Sequence, residues 1–402
     1  MMGFKKNFIL CKGHKENFRT MKIVLITNIP NPYRIPLFNS LNSTLNKKGI
    51  DLIVLFGAKG YARRKWVINT EDCLFPYQIL KSVSFNIGKK SRTIFTYAGL
   101  IKIILNLKPD LVITSGFSLN TLITAFLSFK YSVPYIIWTG TNNTKGRSET
   151  YLKLLYKRFI SARAAHFISY GTKTKSYIVD QLHISESKIS IAINTVDTNY
   201  FRERTKQIKE KDKAINKPHV LLYLGYLTKK KRIDLLLDAL RKNKMLRSDF
   251  ILKIVGDGPE RSRLEDLVDK YGLIDNVSFE GFKQKYEIPN YFAEATCLLF
   301  PSEYDIWGLV IVEAMAAGVP CLSSIHCGVT DDLIIDGETG FAIDFEQTDK
   351  VVEIINYLIN DPKLARVIGN NAARLIEAKC SLENSVKGFV DAITLVNDIN
   401  LK

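Results

Sequence analysis

Two acidic residues eight positions apart, Asp305 and Glu313, sit in the stretch PSEYDIWGLVIVEAMAAGVP at 301–320. Past Gly308 the run is apolar except for Glu313. A glutamate is rarely fully buried unless something pairs with it. Either Glu313 reaches a ligand or it is a solvated exception. Gly308 has no side chain and allows close backbone approach where a helix would begin. The N–H groups of Gly308, Leu309 and Val310 would then be free to face a cleft, and such a helix end takes an anion without a lysine. Glu313 lies one turn further in, on the face of Leu309. A carboxylate there suits a pair of vicinal hydroxyls, such as those of a ribose. Asp305, on the preceding loop, could accept hydrogen bonds from a second hydroxylated group. The rival reading makes Asp305 a helix-capping residue and Glu313 a solvated one.

Other segments that follow apolar runs carry a few more candidates. YLGYLTKKKR places Lys229, Lys230, Lys231 and Arg232 after a strand end, where one lysine could neutralise a diphosphate and the others start a solvated helix. VGDGP, with Gly256 at its second position, is a glycine-rich turn but neither a GxGxxG fingerprint nor a P-loop. TNIPNPYRIPLF has prolines at 30, 32 and 36 that stiffen the loop and would hold Asn31, Tyr33 and Arg34 in place.

These loops need a scaffold, and the order of elements supplies one. KIVLIT (22–27), DLIVLFG (51–57), DLVITSG (110–116), PYIIWTG (134–140) and HFISYG (166–171) are short apolar runs like buried parallel strands, with helical spacing between several of them. HVLLYLGYL (219–227), FILKIVGDG (250–258), NVSFEGF (276–282), CLLFPS (297–302) and PCLSS repeat the pattern. The expected fold class is α/β, with two doubly wound, Rossmann-like domains facing a cleft. Ligands of such sheets bind beyond the carboxyl ends of the strands. The expected boundaries are a disordered extension at 1–20, a first domain at 21–201, a charged linker at 202–218, a second domain at 219–384, and a final helix at 385–402 crossing back to the first domain.

Composition narrows the partners. The net charge is +17, and it divides unevenly: residues before His219 carry 36 basic and 12 acidic residues, the rest 21 and 28. A half this basic is expected to meet something anionic, such as nucleic acid, a phosphorylated substrate or an anionic membrane surface. YARRKW at 61–66 mixes aromatic and basic residues as an interfacial patch does. No nucleic-acid-binding motif is present, so nucleic acid is not expected as a partner. Six scattered cysteines and five unclustered histidines offer no zinc site or disulfide framework, which fits reduced thiols in a cytoplasmic protein. No run reaches the roughly 18 apolar residues of a membrane span. A place in the cytoplasm, peripheral on the inner face of the membrane, is the expectation.

The stretch at 301–320 closely resembles the signature of the family 4 retaining glycosyltransferases, also described as glycosyl transferases group 1, which have the GT-B fold. YLGYLTKKKRIDLLLDAL, LKIVGDGPERSRLEDL, NVSFEGF and IPNYFAEATCLLFPS resemble that family's successive segments in order, and INTVDTNYF (193–201) the end of its first domain. The resemblance implies that Glu313 binds the nucleotide ribose, that Asp305 contacts hydroxyls of the donor sugar, and that Lys231 binds the donor diphosphate. In the family, position 305 is usually Glu. The arginine that usually follows the strand glycine is here Tyr226, which leaves Arg232 and Arg34 as candidates for a phosphate contact. A first-domain histidine common in the family is absent, and YIIWTGTNN offers Trp138, Thr139 and Asn142 instead. The implied function is retaining transfer of a hexose-type sugar from a nucleotide-sugar to a hydroxyl of a lipid-linked, polysaccharide or glycoconjugate acceptor, with no cofactor and no metal. The alternatives are a nucleotide-sugar epimerase or phosphorylase on the same fold, or a basic nucleic-acid-binding protein.

Overall fold

The computed structural model describes residues 20–400, apart from 61–65, 67, 88–91, 98, 144–148, 212–217 and 243–249. The expected extension therefore lies outside the described residues save for Thr20, and so does YARRKW save for Trp66. The first domain is built on β1 (Met21–Thr27), β2 (Ile50–Phe56), β3 (Tyr77–Ile79), β4 (Ser82–Ile87), β5 (Arg92–Tyr97), β6 (Leu111–Ser115), β7 (Tyr135–Thr139), β8 (His166–Ser169) and β9 (Ile189–Ile191). Seven of these form one parallel sheet in the order β3-β2-β1-β6-β7-β8-β9, while β4 and β5 make a separate antiparallel pair.

The helices of this half are α1 (Ile35–Asn46), α2 (Leu100–Leu107), α3 (Leu119–Tyr131), α4 (Tyr151–Ser161), α5 (Thr172–Leu182) and α6 (Thr198–Lys211). Strand β1 is apolar from Ile23 to Ile26 and wholly buried there, because helices cover both faces of the sheet. Phe38 of α1 packs on one face against Trp138. On the other face lie Leu100 and Ile104 of α2, Leu127 of α3 and Ile178 of α5.

The second sheet is parallel throughout. It comprises β10 (His219–Leu224), β11 (Phe250–Val255), β12 (Val277–Gly281), β13 (Ala295–Phe300), β14 (Cys321–Ser324) and β15 (Phe341–Ile343), in the order β12-β11-β10-β13-β14-β15. Its helices are α7 (Ile233–Lys242), α8 (Arg261–Lys270), α9 (Ile288–Glu294), α10 (Leu309–Ala316), α11 (Thr330–Leu333), α12 (Thr348–Asn360) and α13 (Pro362–Lys379). The α/β architecture of two doubly wound domains is thus present as expected. Each sheet has one point where the strand order reverses, between β1 and β6 and between β10 and β13. Loops that leave such a pair diverge, and the crevice between them is where ligands of this architecture bind.

Two boundaries differ from the sequence reading. Residues 202–211, read as linker from their charge, continue α6 as a helix. Phe201 and Thr205, one turn apart, are buried on its inner face, and Phe201 meets Phe292 of α9 edge-on at 5.9 Å. Arg202 bonds Glu377 at 2.8 Å. A helix so poor in apolar residues is held by these tertiary contacts rather than by its own amphipathic period. The last helix, α14 (Leu382–Asn400), begins before the boundary read at 385. It lies against α1, β8 and β9 of the first domain, with the Phe389 ring 5.0 Å from that of Trp138.

Candidate active site at the ends of β10 and β13

The loops that leave β10 and β13 meet at the reversal point of the second sheet. The Glu303 N–H donates to the Lys230 carbonyl at 2.9 Å, which ties one loop to the other. Lys231 closes a 3-10 turn, Lys229–Lys231, and its ammonium sits 2.5 Å from Asp305 Oδ2 and 4.5 Å above the Phe300 ring. The other oxygen, Asp305 Oδ1, accepts the Trp307 N–H at 3.0 Å. Asp305 therefore braces its own loop and does not cap the helix. The helix cap is Gly308, at φ +98°, with no side-chain cap bond. That left-handed conformation strains any residue with a Cβ, and it turns the chain sharply into α10.

In the first turn of α10, the N–H groups of Gly308, Leu309 and Val310 bond no group among the described residues. Ile311, Val312, Ala314, Met315 and Ala316 are buried, while Leu309, Val310 and Glu313 keep an exposed edge. Glu313 thus shares the open face with Leu309. Its carboxyl makes no hydrogen bond or ion pair with any described residue. The walls around it remove solvent and push its pKa from the ordinary 4.5 up to about 8, opposed by the positive charge of Lys285. Desolvation penalises the charged form, and a ligand with hydroxyl donors at this open face would supply the missing hydrogen bonds.

The other residues singled out from sequence take varied positions. Gly256, at φ +146°, lies at the end of β11, where a Cβ would fall 1.9 Å from the Gly225 carbonyl oxygen. The loops after β10 and β11 can stack only because that atom is missing. Tyr226 is exposed in the loop after β10. Arg232, itself at φ +48°, bonds Asp234 at 3.4 Å. It lines a small cleft with Glu303, His326, Asp344 and Glu346, on the β14–β15 side of Lys231. Arg34 donates to Thr27 Oγ1 at 3.1 Å and to the Tyr170 hydroxyl at 2.5 Å, and it stacks 4.3 Å from the Trp138 ring. The structure brings Lys231, Asp305 and the Gly308–Glu313 turn together. It sends Arg232 to the neighbouring cleft and ties Arg34 to the first-domain sheet ends.

The first domain forms the opposite wall. Asn142 donates its amide to the Ile306 carbonyl at 3.2 Å. Gly171 packs against Trp307, whose indole N–H is buried with no hydrogen-bond partner among the described residues. Thr172 donates its N–H (2.9 Å) and its hydroxyl (2.7 Å) to Asp332. Lys173 donates to the carbonyls of Ile325 (2.7 Å) and Cys327 (2.9 Å) and to Thr330 Oγ1 (2.6 Å). The sequence reading missed Lys173, Asp332 and Lys285. Their partners are remote in sequence, so no local spacing marks them.

A family model described as glycosyl transferases group 1 matches residues 204–375, which contain Lys231, Asp305 and Glu313. Over these residues the chain is similar to the glycosyl transferases group 1 family. Alpha-D-kanosaminyltransferase of Streptomyces kanamyceticus is 31% identical over 179 residues, 44% of this chain and 46% of that protein. The putative colanic acid biosynthesis glycosyltransferase WcaL of Salmonella typhimurium is 30% identical over 162 residues, 39% of this chain and 38% of that protein. The chain spans about half the length of the curated relatives it matches first. The fold extends further than the sequence match. The crystal structure of Anabaena HepE in complex with UDP superposes with a TM-score of 0.73 at 18% identity, covering 93% of this chain and 100% of that one. The matched segment therefore holds the Lys231–Asp305 pair and the α10 turn, and the sheet of the first domain, which lies before that segment, contributes the facing wall.

Proposed function

We propose that this protein is a retaining glycosyltransferase of the group 1 type, moving a hexose-type sugar from a nucleotide-sugar to a hydroxyl of a lipid-linked or polysaccharide acceptor. The observation that carries the reading is Glu313: a carboxyl without a partner among the described residues, desolvated, one turn behind a helix end without a side-chain cap, which itself follows the loop where Asp305 pairs with Lys231. The ribose hydroxyls donate to Glu313. The diphosphate takes the free N–H groups of Gly308, Leu309 and Val310 and draws Lys231 from Asp305, which turns to the donor sugar. The UDP bound by HepE and the polysaccharide context named for WcaL support a nucleotide donor and a glycan acceptor. In the reaction the bond from the anomeric carbon to the phosphate oxygen breaks, its electron pair staying on the diphosphate. The acceptor oxygen bonds that carbon from the same side, and its proton passes to a phosphate oxygen. Lys231 and the helix end stabilise the negative charge on the leaving diphosphate.

The test is a screen of nucleotide-sugars for nucleoside diphosphate release by the purified protein. Glu313→Ala is expected to lower kcat/KM for the best donor by about 100-fold, the scale of one or two hydrogen bonds to a charged group. Near-normal turnover in that variant would remove the site assignment.

A further inference from the structure

Helices α2, α3 and α4 lie side by side on one face of the first sheet, with their inner stripes in its core. Their outer stripes are also apolar. Phe126 and Phe129 of α3 and Leu152 and Phe159 of α4 are each more than half exposed, and Ile101 and Leu105 of α2 continue the surface. Leu152, Leu155 and Phe159 stand at the i, i+3, i+7 spacing of a single stripe. The Tyr156 hydroxyl donates to the Ser118 carbonyl at 2.8 Å, and Arg163 covers the Phe129 ring at 4.5 Å, which joins α4 to α3. Between α2 and α3 an apolar groove of about 440 Å³ opens beside Tyr97, Ile101, Leu105 and Ile123, with Lys102 at its edge.

The charge on this face has one sign. None of the three helices contains an aspartate or a glutamate. Lys157 is buried and paired with Glu149, and Arg158 is turned to α5 by bonds to Gln181 and His183. Lys102, Lys130, Lys153 and Arg163 remain exposed among the apolar residues. A face that is apolar, basic and free of acid matches an anionic lipid bilayer, whose headgroups meet the cations while its chains take the aromatic rings.

We infer that the outer face of α2, α3 and α4 docks on an anionic membrane, with Phe126, Phe129 and Phe159 inserted and the α2–α3 groove receiving an acyl chain. This deepens the proposed reading, and it rests on that reading for the acceptor: a lipid-linked acceptor is met at the bilayer surface. The docking surface itself is carried by the exposed residues.

The experiment is co-sedimentation of the full chain with vesicles of phosphatidylcholine alone or mixed with phosphatidylglycerol. Binding to the anionic vesicles alone is expected. The combined Lys102→Glu, Lys130→Glu and Lys153→Glu variant should lower the partition coefficient by about 100-fold, since each such cation contributes about 5-fold at an anionic surface. Leu74→Ser, at an exposed leucine bonded to Asn39 of α1 on the opposite face of the sheet, should leave binding unchanged. Phe159→Trp gives a conservative probe, and quenching of the introduced indole by brominated lipid marks insertion. Equal binding to both vesicle types, or an unquenched indole, overturns the inference. So does concentration-dependent self-association that the lysine variant abolishes without any vesicle binding, because the face would then be covered by a second copy. Turnover with a soluble acceptor and no vesicle binding removes the docking face and keeps the reaction. Vesicle binding without turnover of any donor keeps the face and removes the reaction.

Discussion

At the scale of the residue, Glu313 makes the sharpest demand on experiment. Its carboxyl is raised from 4.5 to about 8 by desolvation, so between those values the folded protein holds a proton that the unfolded chain has released. For an acid raised in this way, stability falls as pH rises through the window of about 4.5 to 8, and this group adds no further change outside it. Nucleotide binding has the opposite slope. The ribose needs the ionised carboxylate as acceptor, so below about pH 8 binding must expel the proton, and donor affinity should rise by up to about tenfold per pH unit before levelling. Calorimetry of nucleoside diphosphate binding, in buffers of different ionisation enthalpy, should show proton release near neutrality that Glu313→Gln removes. Binding that is flat with pH in the wild type would contradict the ribose role. Much at this scale was legible in the sequence, because Glu313 contradicts the apolar run around it and Gly308 marks where that run begins. The mutual pairing of Lys231 and Asp305 was not legible. It joins loops 74 positions apart, and it depends on Asp305 being held by the Trp307 N–H.

At the scale of the element, the loops after β10, β11 and β13 work because backbone approaches backbone. Gly256 separates two effects of a side chain. Its φ of +146° already disfavours a Cβ, and the atom would in addition fall 1.9 Å from the Gly225 oxygen. Gly272 has φ +65° with nothing within 4 Å, so alanine there meets the conformational cost alone, about 1 kcal/mol. Gly256→Ala should cost about 3 kcal/mol or more, and denaturant midpoints of the two variants measure the difference. Equal midpoints would mean that the loops after β10 and β11 are not held in contact. Apolar runs of the parallel strands are easy to read, since burial on both faces removes their polar residues. Helix α4 escapes such reading because Leu152, Leu155 and Phe159 are exposed while Lys157 and Ser161 are buried beside Ile160, so its apolar stripe does not mark the face turned inward. Helix α6 escapes it for the opposite reason: among its fourteen mostly polar residues the buried ones are Thr198, Phe201 and Thr205, of which Phe201 alone is apolar.

At the scale of the whole molecule, the two domains are joined in two physically different ways. One is a continuous apolar cluster that runs from Phe38 and Phe389 through Trp138 to Phe201, Phe292 and Met315. Phe389 is wholly buried in it, and Phe389→Ala should cost about 3–5 kcal/mol of global stability, read by denaturation. The other is a polar clasp across the cleft, in which Lys173 of α5 holds two backbone carbonyls and Thr330, and Asp332 of α11 holds Thr172. The clasp grips the segment at 325–330, and that segment in turn holds the loop of Asp305, through the Gly328 N–H to the Asp305 carbonyl at 3.1 Å and the Val329 N–H to the Trp307 carbonyl at 3.0 Å. The clasp and the loop of Asp305 are therefore linked through one chain of hydrogen bonds. Lys173→Met keeps much of the stem but removes the ammonium. A net loss of about 1.4 kcal/mol from hydrogen bonds to a charged group at a partly exposed site would shift the open and closed populations by about tenfold, and the apparent affinity falls with the closed fraction. The expected result is a KM for donor raised by at most about tenfold, the limit reached when the closed form is the minor one, with small-angle scattering showing a larger radius and the denaturant midpoint moving far less than in Phe389→Ala. An unchanged KM together with an unchanged radius would show that the apolar cluster alone sets the closed arrangement.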